Sequence, residues 1–465
     1  MVLIKSLSGV RGTIGGKYIE NLTPVDILVC IIQFIEFIKS QSSSKRLKIV
    51  VGRDARKSGS YISAIVTGCL QSMGINVIDS GISTTPSIEM AVEYFKADGG
   101  IIITASHNPI NWNALKFLNS GGQLLSPEQG EVFLSGLSEL PNTILSKANF
   151  ADVVNLGDYC IDKTSIDRHI QKILDLQLVK PECISEAGYK IVVDPINSSG
   201  AIAVKQLLKK LGVENIAFIN SDLTGDFAHN PEPLAENLNM LSEFVIKHNA
   251  DLGIAVDPDV DRLSLIDENG NFLSEEYTLV LVSDYILKNK LGSLVSNISS
   301  SLALVDLAAK YGCKHYYAKV GEANVVSRMK ETDAIVGGEG NGGVIYPELH
   351  YGRDALVGIA LILSYMASSK LKISALKSSY KQYVMVKDKI ILNNKHSLTA
   401  LQHKIQSHYN QYNITLIDGI RIDFKDKWVH LRQSNTEPII RIYSEAGTKH
   451  EAELLVEQIK SIVDK

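Results

Sequence analysis

The strongest constraint on this chain is an alternation. Through about its first 370 residues, short apolar segments give way repeatedly to amphipathic stretches of helical period. Leu47–Val51, Ile101–Ile103, Lys190–Val193, Leu252–Val256 and Ala334–Val336 read as strands; Ala201–Leu211 and Leu302–Tyr311 read as helices. Strands separated by helices pack as α/β layers with parallel or mixed sheets. At 465 residues the chain is too long for one core, since cores stop growing near 250–300 residues, so several domains are expected.

A looser repetition lies over the first. Three times an apolar strand runs into a polar, ligand-like loop: IIIT into ASHNP, LGIAV into DPDVDR, and AIVGG into EGNGG. Open α/β sheets bind ligands at the carboxyl ends of their strands. The three loops therefore predict three related domains facing one cleft, over 1–155, 156–270 and 271–370. The small, polar stretch Ser368–Ser379 reads as a linker. Beyond it, a helix at Leu398–His408, strands near Thr415–Asp423, Trp428–Leu431 and Ile439–Tyr443, and a helix at Lys449–Val463 predict a smaller α+β domain over 371–465.

Charge and cysteine usage narrow the function classes. A net charge of −4 points to neither nucleic acid nor an anionic membrane as partner, and an anionic substrate would need local basic residues. No apolar run reaches the roughly 18 residues of a membrane span, and the start, MVLIKSLSGVRG, lacks a signal peptide's apolar core. Cys30, Cys69, Cys160, Cys183 and Cys313 are odd in number and widely spaced, as expected of reduced thiols in a cytoplasm.

Four segments carry chemistry. In Thr104-Ala-Ser106-His107-Asn108-Pro109 a serine leaves a buried strand on a turn, with Lys116 downstream. Lys116 can neutralise phosphate, or act as a base if its neighbours lower its pKa. A capping serine is the bland reading, and the glycines of a hydrolase elbow are missing. In Asp257-Pro-Asp259-Val-Asp261-Arg262, carboxylates two apart on an extended segment point to one side, a hard-oxygen set suited to Mg²⁺. An EF-hand fits poorly, because Arg262 stands where its loop needs glycine, although Glu268 occupies the place of its last ligand. A phosphotransferase using Asp257 as nucleophile stays open. In Gly338-Glu339-Gly340-Asn341-Gly342-Gly343, glycines admit a close ligand, and Glu339 and Asn341 can bond sugar hydroxyls. Arg432-Gln-Ser434-Asn435-Thr436-Glu437-Pro438, with Arg441, offers the donors of a phosphate cradle.

These four elements, in this order and starting from Ser8-Gly-Val-Arg11-Gly12, resemble the α-D-phosphohexomutase superfamily over essentially the whole chain. The resemblance implies four domains around a central cleft: three related α/β domains with mixed sheets and a smaller C-terminal α+β domain. It implies an intramolecular phosphotransferase acting on a hexose phosphate, with Mg²⁺ and a hexose 1,6-bisphosphate intermediate, as a monomer or homodimer. Ser106 matches the family's phosphoserine, and Asp257, Asp259 and Asp261 match its Mg²⁺ ligands, with the phosphoserine as a further ligand. Arg11, His107 and Lys116 match groups near the reacting phosphate, Lys116 as general base. Glu339, Asn341, Lys319 and Arg262 fall among the substrate contacts, and Arg432, Ser434, Asn435, Thr436 and Arg441 in the grip on the distal phosphate. Asn341 and Gly343 replace the serine and histidine of the phosphomannomutase/phosphoglucomutase branch, and Lys319-Val-Gly321-Glu322 replaces its TGH-type motif. Both departures resemble phosphoglucosamine mutases. Glucosamine phosphate is therefore the expected substrate, with mannose or glucose phosphate as the alternative. A non-catalytic sugar-phosphate-binding protein would share the scaffold without turnover.

Overall fold

The computed structural model describes residues 3–139, 141–391, 398–433 and 439–464. Three mixed sheets and one antiparallel sheet follow one another along the chain. The first has seven strands, ordered Ile4–Ser6, Gly9–Thr13, Trp112–Leu118, Gly99–Ile103, Lys48–Arg53, Asn76–Ile82 and Tyr159–Ile161. One apolar cluster, with Phe34, Phe117 and Phe133, covers one face, and a second, with Ile88, Val92 and Leu118, covers the other. The second sheet runs Leu263–Ile266, Leu252–Val256, Lys190–Asp194, Asn215–Phe218; the third runs His315–Ala318, Leu294–Asn297, Val336–Glu339, Gly343–Ile345.

The three ligand-like loops occupy equivalent places. Each joins a central strand to an antiparallel neighbour: Gly99–Ile103 to Trp112–Leu118, Leu252–Val256 to Leu263–Ile266, and Val336–Glu339 to Gly343–Ile345. Sequence repetition and sheet topology therefore coincide. The second and third sheets share one continuous apolar core. Helices Glu276–Asn289 and Ala355–Ser369 run through it, the latter buried from Ala355 to Met366. Asp354 starts that helix by accepting hydrogen bonds from the Leu356 and Val357 amides, which satisfies N–H groups a helix cannot bond internally.

The C-terminal sheet is antiparallel throughout, with its own core around Ile420, Val429, Ile440 and Ile459. Its edge strand, Val384–Ile391, has no counterpart in the sequence reading. VMVKDKII lies at an exposed edge, where lysines replace the apolar alternation that betrays a half-buried strand. The stretch read as a linker also differs: Ile373–Ser378 forms a helix, because Ile373 and Leu376 find a core to enter. Among the described residues, no helix is long and apolar enough to cross a membrane.

Candidate active site

Ser106 stands three residues past the end of strand Gly99–Ile103 and has left-handed backbone, φ 48°. A side chain seldom adopts that conformation unless its surroundings impose it. The Thr104 hydroxyl accepts from the Ser106 N–H at 2.9 Å. The Ser106 hydroxyl donates to Asp257 Oδ2 at 2.5 Å and lies 3.3 Å from His107 Nδ1. Residues 151 positions apart thus bring the serine loop and the acid loop into one site.

The acid loop converges by a route other than the one its spacing suggests. Asp257–Arg262 is a tight turn and not an extended segment. Val260 has φ 62°, and Asp257 Oδ1 accepts from the Asp261 and Arg262 amides at 3.1 Å each. The Ser198 and Ser199 hydroxyls hold the Pro258 carbonyl at 2.7 Å, tying the turn to the start of helix Gly200–Lys210. All three aspartates are 0% exposed, and one oxygen from each lies within 4.8 Å of the others. Asp259 Oδ1 and Asp261 Oδ1 are buried with no hydrogen-bond partner. Orphaned carboxylate oxygens are costly, and three converging hard donors with two lone oxygens fit a divalent cation such as Mg²⁺.

Cations already crowd the triad. Lys116 Nζ is 2.7 Å from Asp259 and 3.3 Å from Asp261; Arg353 Nη2 is 2.7 Å from Asp261. Burial pushes Asp261 up, but Arg353, Lys116 and Arg262 outweigh it and hold the carboxyl below its ordinary value. Asp257, buried beside Asp261 and Asp259, is held well above its own. Burial alone would lower Lys116, yet Asp259 and Asp261 raise it, so its neighbours do the opposite of what a free base requires. His107 is driven well below its ordinary value by burial and then by Arg262 and Arg11, and stays neutral. Arg11 lies 3.4 Å from the Asn108 side chain, and the Arg262 Nε is buried without a hydrogen-bond acceptor.

Of the sugar-loop residues, Glu339 is 3% exposed and accepts from Asn297 at 2.9 Å, the Gly321 amide at 2.8 Å and Arg353 at 2.8 Å. Asn341 turns inward on its own loop, accepting from the Gly343 amide. Gly342, at φ 86°, lies so near strand Leu263–Ile266 that an added Cβ would stand 2.3 Å from the Leu263 carbonyl. Lys319 is exposed at the loop before helix Glu322–Glu331. Arg432 and Arg441 are paired across neighbouring strands of the C-terminal sheet, away from the triad's direct contacts. Arg432 Nε sits 3.1 Å from Asp418, whose Oδ2 also accepts from the Val320 amide at 3.0 Å. Ser434, Asn435 and Thr436 lie outside the described residues.

Sequence reading missed the hub of the site. Arg353, 8% exposed, joins Asp261, Glu322 at 3.0 Å and Glu339 at 2.8 Å. Its one local signal is an arginine placed directly before the cap of a very apolar helix. Thr85 was missed too; its hydroxyl donates to Asp259 Oδ2 at 2.6 Å and its amide to the Asp259 carbonyl.

Three α/β domains meeting at serine, acid and sugar loops, with a C-terminal domain docked on the third, define a phosphohexomutase architecture, and comparison with known proteins agrees. The chain matches the phosphoglucomutase/phosphomannomutase alpha/beta/alpha domains I, II and III over residues 4–133, 167–270 and 274–383, and the C-terminal domain over 384–462. It is 36% identical over 449 residues to a phosphoglucomutase/phosphomannomutase of Thermococcus kodakarensis, covering 95% of each chain. It is 32% identical over 463 residues to a phosphoglucosamine/phosphogalactosamine mutase of Sulfurisphaera tokodaii, covering 98% of each. A phosphoglucomutase/phosphomannomutase family protein of Burkholderia thailandensis shares the fold at TM-score 0.82 and 24% identity, over 100% of this chain and 98% of that one. The chain belongs to the phosphoglucomutase/phosphomannomutase family. It is accordingly an isomerase that works as an intramolecular phosphotransferase on hexose phosphates.

Proposed function

We propose that the chain interconverts glucosamine 6-phosphate and glucosamine 1-phosphate through phosphorylated Ser106 and a bound 1,6-bisphosphate. The observation that carries this reading is the Ser106 hydroxyl, held 2.5 Å from Asp257 beside two orphaned carboxylate oxygens. Asp257, Asp259 and Asp261, with the phosphoserine, would hold Mg²⁺. That ion, when bound, supplies charge neutralisation for the phosphoryl oxygens.

The chain's own groups do the rest. Phosphoryl transfer depends mainly on positioning and electrostatic stabilisation. A sugar hydroxyl attacks the Ser106 phosphoryl: the new P–O bond forms to the sugar, the P–Oγ bond breaks, and the hydroxyl proton is passed on so that Ser106 ends as an alcohol. The bisphosphate then turns, and its other phosphoryl returns to Ser106. Arg11, Arg262 and Lys116 face the transferred group with positive charge, and the Arg262 Nε, 3.9 Å from Asp261 but without a hydrogen-bond acceptor, suits a phosphoryl oxygen. Neutral His107 is placed to hydrogen-bond at Oγ. Lys116 acts first by its charge; a base role requires Asp259 and Asp261 to release the ammonium. Glu339 and Asn341 sit at the sugar, with Lys319 at the rim. Arg432, Arg441 and the 434–436 loop grip the distal phosphate once Arg432 leaves Asp418.

The absence of a histidine at Gly343 and the name of the Sulfurisphaera relative favour an amino sugar. The Thermococcus relative's name favours the second reading, mannose or glucose phosphate. Turnover on matched glucosamine, mannose and glucose 6-phosphates decides between them. Phosphopeptide analysis should find phosphate on Ser106, and an active Ser106→Ala variant would overturn the mechanism.

A further inference from the structure

One side chain outside this machinery directs four of its five hydrogen bonds at the carbonyls around the serine loop. Arg56 lies between strand Lys48–Arg53 and helix Gly59–Ser72 and is 1% exposed. Its Nη2 donates to the carbonyls of Ser106 at 2.5 Å and Asn108 at 2.6 Å; its Nη1 donates to those of Pro109 at 2.8 Å and Trp112 at 3.0 Å. Its Nε donates to Asp54 Oδ2 at 3.1 Å. The same Asp54 oxygen accepts from the Thr104 hydroxyl at 2.6 Å, and that hydroxyl's oxygen receives the Ser106 N–H. Both peptide groups of Ser106 are therefore fixed by one connected network, N–H through Thr104 and C=O through Arg56.

The second domain closes over this network. The Phe227 ring lies 4.8 Å from the guanidinium carbon, and Gly225, at φ 67°, lets its loop approach so closely that a Cβ would stand 2.1 Å from the Ala55 carbonyl.

A buried cation is expensive, and a guanidinium is kept only where its flat fork of donors is used. Here four donations go to carbonyls within the seven residues from Ser106 to Trp112, the first of which has left-handed backbone, and none goes to the packing of a core. A serine at φ 48° tends to relax, and relaxation would swing Oγ away from Asp257. Lysine offers a point charge and cannot span four carbonyls.

We infer that Arg56 is the positioning residue that aims the Ser106 hydroxyl at the acid loop, holding the strained turn by its carbonyls while touching neither substrate nor the reacting phosphoryl group. The inference rests on the reading of Ser106 as phosphoryl carrier.

The test compares wild type, Arg56→Lys, Arg56→Ala and Thr104→Val in the full chain. The readouts are unfolding, kcat, KM and the fraction of Ser106 phosphorylated after incubation with glucose 1,6-bisphosphate. Folded Arg56→Lys should lose about 10²-fold in kcat, the cost of misplacing a reacting group by about an ångström, with KM changed by less than about threefold. Its phosphoserine should form more slowly in proportion. Millimolar guanidinium should restore part of the kcat of Arg56→Ala, whereas sodium chloride at equal ionic strength should not; a purely structural role would not produce that rescue. Folded Arg56→Lys with wild-type kcat, or folded Arg56→Ala without guanidinium rescue, overturns the inference. If neither arginine variant folds, Thr104→Val decides: it should show the same fall in kcat at steady KM, and wild-type kcat there overturns the inference. Wild type lacking phosphate on Ser106 would instead remove the reading on which it rests.

Discussion

Among the described residues, two buried clusters of ligand-type side chains lie at domain junctions, and they differ in one respect. Asp257, Asp259 and Asp261 form the first; His169, His350 and Asp354 form the second, and in each the ligand atoms fall within 4.8 Å of one another. In the second, His169 Nε2 is 2.8 Å from Asp354 Oδ2 and its Nδ1 is 2.9 Å from the Ser87 hydroxyl. His350 lies 3.4 Å from Asp354 and 3.5 Å from Glu89, and the other Asp354 oxygen caps helix Ala355–Ser369. Every ligand-type atom of His169 and Asp354 has a partner. In the acid triad, Asp259 Oδ1 and Asp261 Oδ1 accept no hydrogen bond, the latter standing 3.9 Å from the Arg262 Nε. Proximity is common to both clusters; carboxylate oxygens of the ligand set itself that accept no hydrogen bond belong to the triad. The histidine cluster is a hydrogen-bonded staple between the first, second and third domains. Glu89 beside it differs: both its oxygens are buried without a hydrogen bond, and burial and then Glu322 hold its carboxyl well above the ordinary range.

The largest effect that would break this comparison lies in the triad. Asp259→Asn should lower kcat/KM by roughly 10³-fold or more, because the site loses a full charge directed at a cation and several kcal/mol of transition-state stabilisation with it. An unchanged Mg²⁺ titration would show that the triad is as satisfied as the staple. Removing Lys116 should cost less. Lys116→Ala should lower kcat by about 10²-fold, with a smaller change in KM. Lys116→Arg separates charge from proton transfer: recovery of activity identifies charge as the lysine's contribution, and no recovery identifies a proton acceptor.

The staple should respond in stability. His169→Ala leaves Asp354 buried with a weakened partner set and should cost about 3–5 kcal/mol in the unfolding transition of the domains it joins. Its kcat should fall by no more than about tenfold, the part transmitted through neighbouring Arg353. Loss of bound Zn²⁺ or Mg²⁺ from this variant, measured by elemental analysis, would make the staple a metal site after all.

The smallest effect is in pH. Asp354 is pushed up by burial but held lower by His169 and His350, and Asp261 is likewise held low by Arg353, Lys116 and Arg262. A carboxyl whose folded pKa is depressed contributes stability above its unfolded value and loses it as pH falls. The stability these two carboxyls contribute should therefore hold steady down to about pH 4 and be lost below it, whereas Asp257 and Glu89, held high, add stability as pH falls toward that point, so the midpoint should peak before its acid drop. His169→Ala should flatten that acid limb by removing a partner of Asp354; an unaltered limb would place the acid sensitivity elsewhere.

The amino-acid sequence by itself determined the layers, the three equivalent loops and the residues in them. The strand-to-helix alternation is local, and each polar loop follows its apolar strand directly, so periodicity and adjacency suffice. Ser106 and the three aspartates could be read in that way. Only the tertiary structure decided how they meet. The acid loop converges because Val260 adopts φ 62° and Asp257 gathers two amides, which spacing on an extended strand does not reveal. Arg353 reaches Asp261 across 92 positions and Arg56 reaches Ser106 across 50, and neither arginine sits in a pattern that names its partner. The edge strand Val384–Ile391 was hidden for the related reason that its identity comes from hydrogen bonds to Ile439–Ala446 and not from side chains that need burial. Local periodicity records which face of an element avoids water; the pairing of buried charges depends on which elements the whole fold brings together.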